Sequence, residues 1–368
     1  MSLVIGIPKA LHYYTFIPLW ERFFYELGLK VVESGATTKE IVDMGVRTAV
    51  TDACAPIKIF QGHAEWLAQR TDVVFIPRMV SFEGGYVFCP KFLGLPDMVR
   101  ATIDKMPPII DTVFDLRKRP AALLRSLVRL GRSLGAGQAK AFASAIRAIK
   151  HFKQAGWTGY LRRDSKPRPQ ARSSAQVTIG VVGYPYIVHD PFLSCGMVDL
   201  LESAGARVLT VEDVSAKQIR SEDKSLDKQL FWHYSNRTLK AAYYLMRHNL
   251  VDGLVHASAF SCGPDAIVGK ILELDSKYEF DVPFLSVTVD EHSGRAGIMT
   301  RLEAFLDMLI RKKYAGAKQQ LPELAPDGLV ESRQGQRRIA GASQTALDGH
   351  DEFESSSDAM REQGRQVS

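Results

Sequence analysis

Short apolar runs alternate with longer amphipathic stretches along most of the chain, which predicts strands separated by helices. The predicted strands are apolar at successive positions, a pattern typical of parallel sheets that are covered by helices on both faces. In the first half the pattern predicts strands at 3–8, 30–34, 48–53 and 72–77, and helices at 17–27, 38–44 and 57–68. In the second half it predicts strands at 177–183, 207–211, 252–257 and 282–289, and helices at 191–204, 227–249, 264–274 and 301–313.

The two halves begin with related patterns. The segment Ile5-Gly6-Ile7-Pro8 is echoed by Val182-Gly183-Tyr184-Pro185, and Leu27-Gly28-Leu29-Lys30-Val31-Val32 by Ala204-Gly205-Ala206-Arg207-Val208-Leu209. A weak internal repeat of this kind indicates two similar units. The predicted fold class is therefore α/β, with two Rossmann-like domains whose mainly parallel sheets face a cleft, plus a helical insertion.

Changes in composition predict the domain boundaries. Residues 1–110 form the first Rossmann-like domain and 176–315 the second, with a basic helical insertion and linker at 111–175 between them. After residue 315 the chain is rich in Gln, Gly, Ser and mixed charge with few apolar residues, which predicts a disordered tail at 316–368.

The composition is that of an ordinary globular protein, with 46% hydrophobic and 24% charged residues in 368. No apolar run reaches 18 residues, so we expect no membrane span. The first apolar run has no basic segment before it and is predicted to be a strand, not a signal peptide. Four cysteines in a chain of this length fit a reducing cytoplasm, which is the expected location.

Positive charge is concentrated in one segment. Residues 117–172 contain fifteen Lys or Arg against a single acid, Asp164, although the net charge of the whole chain is only +6. Such a block attracts nucleic acid, an acidic protein, or the phosphates of a nucleotide or coenzyme A. The segment has few aromatic residues for base stacking and no nucleic-acid-binding signature, so we expect a solvated, partner-facing helical insertion.

All four cysteines lie at predicted strand ends. They are Cys54, Cys89, Cys195 and Cys262, and every one except Cys195 has a proline one or two residues later. Loops that leave the carboxyl ends of parallel strands meet at one rim, where distant cysteines can converge. Proline fixes the backbone, and a glycine such as Gly263 allows it to approach a bound group closely.

No two cysteines form a Cys-x-x-Cys pair, which argues against a zinc ribbon or a thioredoxin-type site. The pattern instead predicts an iron–sulfur centre. The alternative is that each cysteine is a small buried hydrophobe. That alternative is stronger for Cys195, which lacks the proline and opens a helical run.

Basic side chains accompany the cysteines. Lys58 and His63 follow Cys54, Arg78 precedes Cys89, and Lys91 follows it. Positive neighbours favour the thiolate that binds metals, and they would offset the negative charge of a cluster. The alternatives are a solvated lysine in the first helical turn for Lys58 and an ordinary surface histidine for His63.

A polar, glycine-rich loop follows the last predicted strand. Its residues Asp290, Glu291 and His292 are candidates for acid–base catalysis or for orienting a ligand, and capping of the next helix is the simpler alternative. The chain contains no G-x-x-x-x-G-K-[ST] run, so it brings no P-loop for ATP.

Four stretches together resemble one family. They are Ile5-Gly6-Ile7-Pro8-Lys9-Ala10-Leu11 with Tyr13 and Tyr14, Cys54-x-Pro56-x-Lys58 with Gly62-His63, Cys89-Pro90-Lys91 with Gly94-Leu95-Pro96-Asp97, and 290–297 running into 300–305. They resemble the acyl-CoA dehydratase activase-related proteins, which are relatives of the iron–sulfur components of 2-hydroxyacyl-CoA dehydratases, benzoyl-CoA reductases and double-cubane cluster proteins. The resemblance covers about 3–105 and 177–313.

The resemblance implies a [4Fe–4S] cluster between two Rossmann-like domains, with a double-cubane cluster as the alternative. It also implies an ATP-dependent activase of the ASKHA type that donates low-potential electrons. Matched by motif, it supports Cys54, Cys89 and Cys262 as ligands, whereas Cys195 falls in no matching motif. A fourth iron site is expected to be open or filled by Cys195, another ligand or a substrate. The chain departs from larger members because it lacks fused ATPase domains, and its basic insertion has no counterpart.

The leading hypothesis is an iron–sulfur electron-transfer protein that acts on an acyl-CoA or another small substrate, as a homodimer or heterodimer. Lys58, His63, Lys91 and Gly263 are the predicted cofactor-binding residues. A second hypothesis is a non-catalytic iron–sulfur protein that senses a nucleotide or a thioester. The third is a small-molecule-binding α/β protein whose cysteines are incidental.

Overall fold

The computed structural model describes residues 3–82, 85–117, 121–155, 177–224 and 229–319. Within them, the first half forms a four-stranded parallel sheet of order β2-β1-β3-β5. A second pair of parallel strands, β4 and β6, follows β3 and β5 along the chain. The strands are β1 (Val4–Ile7), β2 (Lys30–Glu33), β3 (Val73–Phe75), β4 (Arg78–Ser81), β5 (Ile109–Ile110) and β6 (Val113–Asp115).

The second half forms another four-stranded parallel sheet, of order β10-β9-β7-β8. In both sheets the first strand along the chain lies between the second and the third, and the fourth lies at the edge. The predicted mainly parallel α/β class is confirmed, and the echo between the halves corresponds to a shared strand order. The strands are β7 (Thr178–Gly183), β8 (Arg207–Thr210), β9 (Gly253–Ala259) and β10 (Phe284–Val289).

Helices connect these strands and cover the sheets. In the first half they are α1 (Tyr13–Leu27), α2 (Lys39–Thr48), α3 (Ala55–Ala68), α4 (Pro90–Thr102), α5 (Ala122–Ser133) and α6 (Gln138–Ala155). In the second half they are α7 (Pro185–Val188), α8 (Met197–Ser203), α9 (Ala216–Ser221), α10 (His233–Arg247), α11 (Gly263–Tyr278) and α12 (Arg295–Gln319).

The strand predicted at 48–53 is wrong. Helix α2 continues to Thr48, whose hydroxyl donates to the Met44 carbonyl at 3.1 Å, and a turn leads from there to Cys54. The reason is close packing of α2 on α3. A Cβ on Gly45 would lie 1.8 Å from the Lys58 carbonyl oxygen, and one on Gly62 would lie 1.9 Å from the Ile41 carbonyl oxygen. This contact packs the end of α2 against the start of α3, which leaves 49–53 as the turn between the two helices.

Two predicted helices begin later than expected. The helix expected at 191–204 is confined to α8, because Asp190 Oδ1 accepts the backbone N–H groups of Phe192 and Leu193 and holds a turn there. The helix expected at 227–249 begins at His233, and residues 225–228 lie outside the described part of the chain. Helix α12, in contrast, extends beyond the predicted 301–313 at both ends.

The described part of the predicted insertion packs into the core. Leu127, Leu130 and Phe152 are buried, and the Phe152 ring stacks on Phe16 with centroids 5.8 Å apart. Strand β6, which also falls inside the predicted insertion, pairs with β4 of the first half. The linker at 156–175 and the predicted tail from residue 320 onward lie outside the described residues, whereas 316–319 form the end of α12.

Among the described residues, no helix combines the length and the apolar character that crossing a membrane requires.

Candidate functional site

Three of the four cysteines line one cavity between the two sheets. Cys54 and Cys89 come from the first half of the chain and Cys262 from the second. The walls are mainly aromatic, so the cavity is largely apolar. They are formed by Phe88, Phe92, Tyr184, Tyr186, Trp232 and Tyr234.

Each of these three cysteines occupies the same local position. Cys54 is the N-cap of α3, Cys89 of α4 and Cys262 of α11, and each helix has a proline in its first two positions. Proline is favoured there because the first helical N–H has no partner within the helix. Three helix N-termini, which carry partial positive charge, therefore lie at the cavity and favour negative charge within it.

Burial raises the pKa of the thiols of Cys54 and Cys262. At Cys54 the positive charge of Lys91 opposes this, whereas at Cys262 the buried carboxyl of Asp265 adds to it. The neighbouring cysteines also raise the pKa of both thiols, so the three sulfur atoms lie within electrostatic range of one another. A cationic metal group would offset this repulsion between thiolates.

Lys91 is the predicted cofactor-binding residue that the structure places at the cavity. Arg78 is instead neutralised by carboxylates, since its guanidinium pairs with Asp97 and, at 2.8 Å, with Asp111. Gly263 directly follows Cys262, and a side chain there would meet no atom of the protein within 4 Å. Close packing within the protein therefore does not require a glycine at this position.

The three cysteines that line the cavity suit only some kinds of metal group. Among the described residues, no three or more His, Cys, Asp or Glu side chains are grouped so that they could hold a single metal ion. A mononuclear zinc site needs four such ligands around one ion when it is structural and three when it is catalytic. In an iron–sulfur cluster the thiolates bind different irons, which separates them around a larger group. The three cavity cysteines are donors of the kind that such clusters use, and cluster binding remains a proposal.

Cys195 lies apart from this cavity. Its sulfur is 3.8 Å from the Ser293 carbonyl oxygen, and Gly196 rather than the cysteine is the N-cap of the following helix. Burial raises the pKa of its thiol, which Arg295 partly opposes. Its role as a fourth ligand stays a prediction.

Lys58 forms an ion pair with Glu291, so it is not the solvated lysine of the simpler alternative. Their side chains are only 13% and 9% exposed. Burial raises the pKa of Glu291, but the hydrogen bond from Lys58, a backbone hydrogen bond and nearby positive charge together outweigh burial, so the net pKa is lowered. Because Lys58 lies in the first turn after Cys54 and Glu291 follows β10, this pair joins the two halves beside the cysteine cavity.

A second contact joins the halves at the same place. The Ser261 hydroxyl donates to the Asp52 carbonyl at 3.2 Å. Asp52 lies two residues before Cys54, and Ser261 lies one residue before Cys262. Ser261 has a φ of 65°, in the left-handed region that serine rarely adopts. The turns that carry these two cysteines are therefore held together directly.

Asp290 organises the loop after β10. Its Oδ1 accepts the His292 backbone N–H at 2.9 Å and the Ser293 hydroxyl at 2.8 Å. Both contacts lie within the loop, before α12 begins at Arg295, so they are not capping bonds to that helix. His292 is exposed, and Asp290, Glu291 and His292 are not among the residues that line the cysteine cavity. Their catalytic roles stay predictions.

His63 is fully buried and not a surface histidine, which corrects the simpler alternative. Its Nδ1 lies 2.7 Å from the Ser34 hydroxyl, and its Nε2 lies 3.0 Å from the Thr37 hydroxyl. Thr37 donates to Asp190, so the proton of the neutral imidazole is assigned to Nε2. This chain of hydrogen bonds joins the first half to a buried carboxylate of the second. His63 does not line the cavity, and its cofactor role stays a prediction.

Acid should destabilise the fold. Burial, followed by positive neighbours, lowers the pKa of His12, His63 and His233 from 6.5 to about 3. The unfolded chain therefore binds more protons between these values, and the unfolding free energy should fall as the pH drops below about 6.5. At pH 5 each histidine should lower it by about 2 kcal/mol relative to pH 7.5. Urea denaturation at the two pH values measures this, and equal midpoints would contradict it.

The tyrosines and Trp232 of the cavity wall were not predicted as site residues. The available signal was Gly183-Tyr184-Pro185, which repeats the glycine–proline pattern at the end of β1 and marks the end of the equivalent strand. The N-terminal residues of α10, Trp232 to Tyr234, carry no comparable signal, because their position depends on contacts distant in sequence.

Comparison with solved structures finds only remote similarity. The lac repressor dimer bound to operator and the anti-inducer ONPF is 12% identical, over 84% of this chain and 87% of that one, with a TM-score of 0.23. Nitrogenase Cp1 at pH 5 is 11% identical, over 88% of this chain and 59% of that one, with the same TM-score. Similarity at this level carries no functional argument. None of the curated proteins matches the chain significantly.

A family model matches residues 4–214, which is more than half of the chain. The family is described as the CoA enzyme activase uncharacterised domain (DUF2229). The matched region contains Cys54, Cys89 and Cys195, the basic helices, and Tyr184 and Tyr186. The resemblance to activase-related proteins is thus confirmed, and the chain belongs to this family of CoA enzyme activase domains.

Proposed function

We propose that this chain is an iron–sulfur protein of the 2-hydroxyacyl-CoA dehydratase and activase-related superfamily. It accepts low-potential electrons from an ATP-dependent activase and passes them to an acyl-CoA or another small substrate. The observation that carries the proposal is that Cys54, Cys89 and Cys262, each the N-cap of a helix with an early proline, line one cavity.

The residues around the cavity suit a cluster. The three thiolates would hold it, and the aromatic walls would limit the access of water. The helix N-termini and Lys91 would offset its negative charge. When bound, a [4Fe–4S] cluster supplies one-electron redox chemistry, and solvent exposure and local charge tune its potential. A fourth iron would be left for Cys195, another ligand or a substrate.

The alternative of incidental cysteines explains this arrangement less well. A cysteine that serves as a small hydrophobe needs only an apolar site. It has no reason to share one cavity with two others from distant parts of the sequence, each followed by a proline. Three thiols that line one cavity within electrostatic range of one another are better explained by a shared ligand.

Anaerobic reconstitution with iron and sulfide tests the proposal. We expect a brown protein with broad visible absorption that bleaches when a strong reductant is added, since a cluster accepts one electron. Reconstitution with zinc alone is the control. A protein that stays colourless with iron and sulfide but binds one zinc per chain would overturn the proposal.

The basic face of α5 suits the docking of the activase. Arg125, Arg129 and Arg132 are exposed, and the spacing of 125, 129 and 132 places them on one helix face. Among the described residues no carboxylate pairs with any of them, whereas Arg147 on α6 pairs with Glu26 at 2.6 Å. We propose that these unpaired arginines bind an acidic surface of the ATP-dependent electron donor.

Charge reversal tests this docking. Arg125→Glu, Arg129→Glu and Arg132→Glu together should leave the cluster content unchanged and reduce the rate of activase-dependent reduction at least tenfold. The electrostatic attraction acts over about 8 Å at physiological ionic strength, so reduction of the wild-type protein should also slow steeply with added salt. Stopped-flow absorbance of the cluster measures both rates.

A matched control carries the same charge change elsewhere. Lys270, Lys277 and Lys312 are exposed on helices of the second half, and their reversal to glutamate should leave the reduction rate near that of the wild type. Equal loss in both triple variants would show a nonspecific effect of net charge. Unchanged electron transfer in the α5 variant would rule out the docking role.

A further inference from the structure

Three tyrosines line the cysteine cavity, and their hydroxyl groups differ in whether they have a hydrogen-bond partner. The Tyr184 hydroxyl hydrogen-bonds with the Ser235 hydroxyl at 2.5 Å, and the Tyr234 hydroxyl with the Thr15 hydroxyl at 3.0 Å. Tyr186 is only 5% exposed, yet its hydroxyl forms no hydrogen bond with any residue that the structure describes. A phenol that lines the cavity without a protein partner is available to a group held there.

The ring of Tyr186 is held firmly. It contacts Tyr234 with centroids 5.5 Å apart and Phe92 with centroids 6.0 Å apart, both edge to face. Tyr186 lies in the short helix α7. The two residues after that helix are anchored, because His189 hydrogen-bonds to the buried Glu212 at 2.8 Å and Asp190 accepts the Tyr14 hydroxyl at 3.0 Å. The direction of the phenol is therefore set by packing.

The Tyr186 hydroxyl lies in the electrostatic range of the thiols. Its pKa is raised first by burial and then by Cys262, Tyr184 and Cys54. Both of those cysteines line the same cavity as the tyrosine. A neutral phenol on the same cavity wall as the thiols can donate a hydrogen bond to a negatively charged acceptor there.

We propose that Tyr186 is a positioning residue whose hydroxyl donates a hydrogen bond to a sulfur atom of the group that Cys54 and Cys262 hold. The inference rests on the proposed function, because that group is the proposed cluster. Hydrogen bonds to the sulfurs help to set the reduction potential, and they stabilise the more negative, reduced state. No proton is transferred and no bond is broken in this role.

The variant Tyr186→Phe tests the inference, with Tyr234→Phe as the matched control. Both remove one hydroxyl from the same cavity wall, but the Tyr234 hydroxyl already has a protein partner. In reconstituted Tyr186→Phe we expect unchanged iron content and a tenfold less favourable equilibrium for reduction of the cluster. For one electron this corresponds to a reduction potential that is more negative by about 59 mV. Tyr234→Phe should keep the wild-type potential. Redox titration followed by EPR measures both.

A spectroscopic readout identifies the hydrogen bond itself. Electron–nuclear double resonance of the reduced wild-type protein should show the coupling of an exchangeable proton to the cluster. This proton coupling should disappear in D2O. The same coupling should be missing from Tyr186→Phe and present in Tyr234→Phe. A change confined to packing would not remove it.

The protein without a cluster provides a second readout. Because the Tyr186 hydroxyl has no partner among the described residues, apo Tyr186→Phe should melt at the wild-type temperature or above it. Apo Tyr234→Phe should melt lower, since Thr15 loses its partner. A lower melting temperature for apo Tyr186→Phe would show a structural role and overturn the inference.

The two proposals fail in different ways. A loaded Tyr186→Phe protein with wild-type potential and an unchanged exchangeable proton would overturn the inference and leave the proposed function intact. A wild-type protein that takes up no iron and sulfide would overturn both.

Discussion

Alanine at Cys54, Cys89 or Cys262 should reduce the iron bound after reconstitution to a small fraction of the wild-type value, whereas alanine at Cys195 should leave it nearly unchanged. The first three line one cavity at helix N-termini, and Cys195 contacts Ser293 elsewhere. Each thiolate binds one iron of a cluster, so the loss of one of three shared ligands should be severe.

Iron and acid-labile sulfide per chain, measured on all four variants in parallel, check this prediction. Near-ultraviolet circular dichroism of the apo proteins serves as the control for folding. If Cys195→Ala lost its iron while Cys262→Ala retained it, the cavity would not be the cluster site. If all four variants bound as much iron as the wild type, the cysteines would be incidental.

Gly62→Ala should destabilise the fold strongly. A Cβ at this position would lie 1.9 Å from the Ile41 carbonyl oxygen and 2.9 Å from the Gly45 nitrogen, both backbone atoms that cannot rotate away. Helices α2 and α3 would have to separate, and overpacking of this severity costs about 3 kcal/mol or more. Because α3 begins at Cys54, iron binding should weaken as well.

Gly94→Ala is the matched control for that substitution. Gly94 lies inside α4, after Cys89, and a Cβ there would meet nothing within 4 Å. Since alanine is the better helix former, this variant should be as stable as the wild type or up to about 1 kcal/mol more stable. Urea denaturation at pH 7.5 compares the two, and equal unfolding free energies for Gly62→Ala and Gly94→Ala would contradict the packing argument.

Apolar runs predicted the sheets because parallel strands are buried on both faces. The runs at 3–8 and 177–183 contain β1 and β7, and the echo between them corresponds to equivalent strands of two sheets with one order. The run at 48–53 misled because it forms the end of α2 and the turn to α3, where Val50 is 57% exposed. That difference depends on the contact between Gly45 and Gly62, which no local pattern reveals.

The cysteines were predicted to converge for a reason that was partly wrong. A proline after each of Cys54, Cys89 and Cys262 was interpreted as fixing a loop at a strand end, whereas it marks the first turn of a helix that the cysteine caps. Proline near the start of a helix was therefore the stronger signal. It also explains why Cys195, which has no such proline, lies elsewhere.

Contacts between the halves were beyond prediction. The ion pair between Lys58 and Glu291 joins residues 233 positions apart, and the burial of His63 depends on hydroxyls of a neighbouring loop. Local periodicity carries no information about which distant side chains meet. The aromatic walls of the cavity depend on the same kind of contact.

Metal analysis combined with EPR of the anaerobically purified wild-type protein shows whether the chain holds an iron–sulfur cluster. We expect about four irons with matching sulfide per chain, and an EPR signal of a reduced cluster that appears with a strong reductant. A colourless protein that contains stoichiometric zinc, or no metal and no sulfide after anaerobic purification and reconstitution, would contradict it.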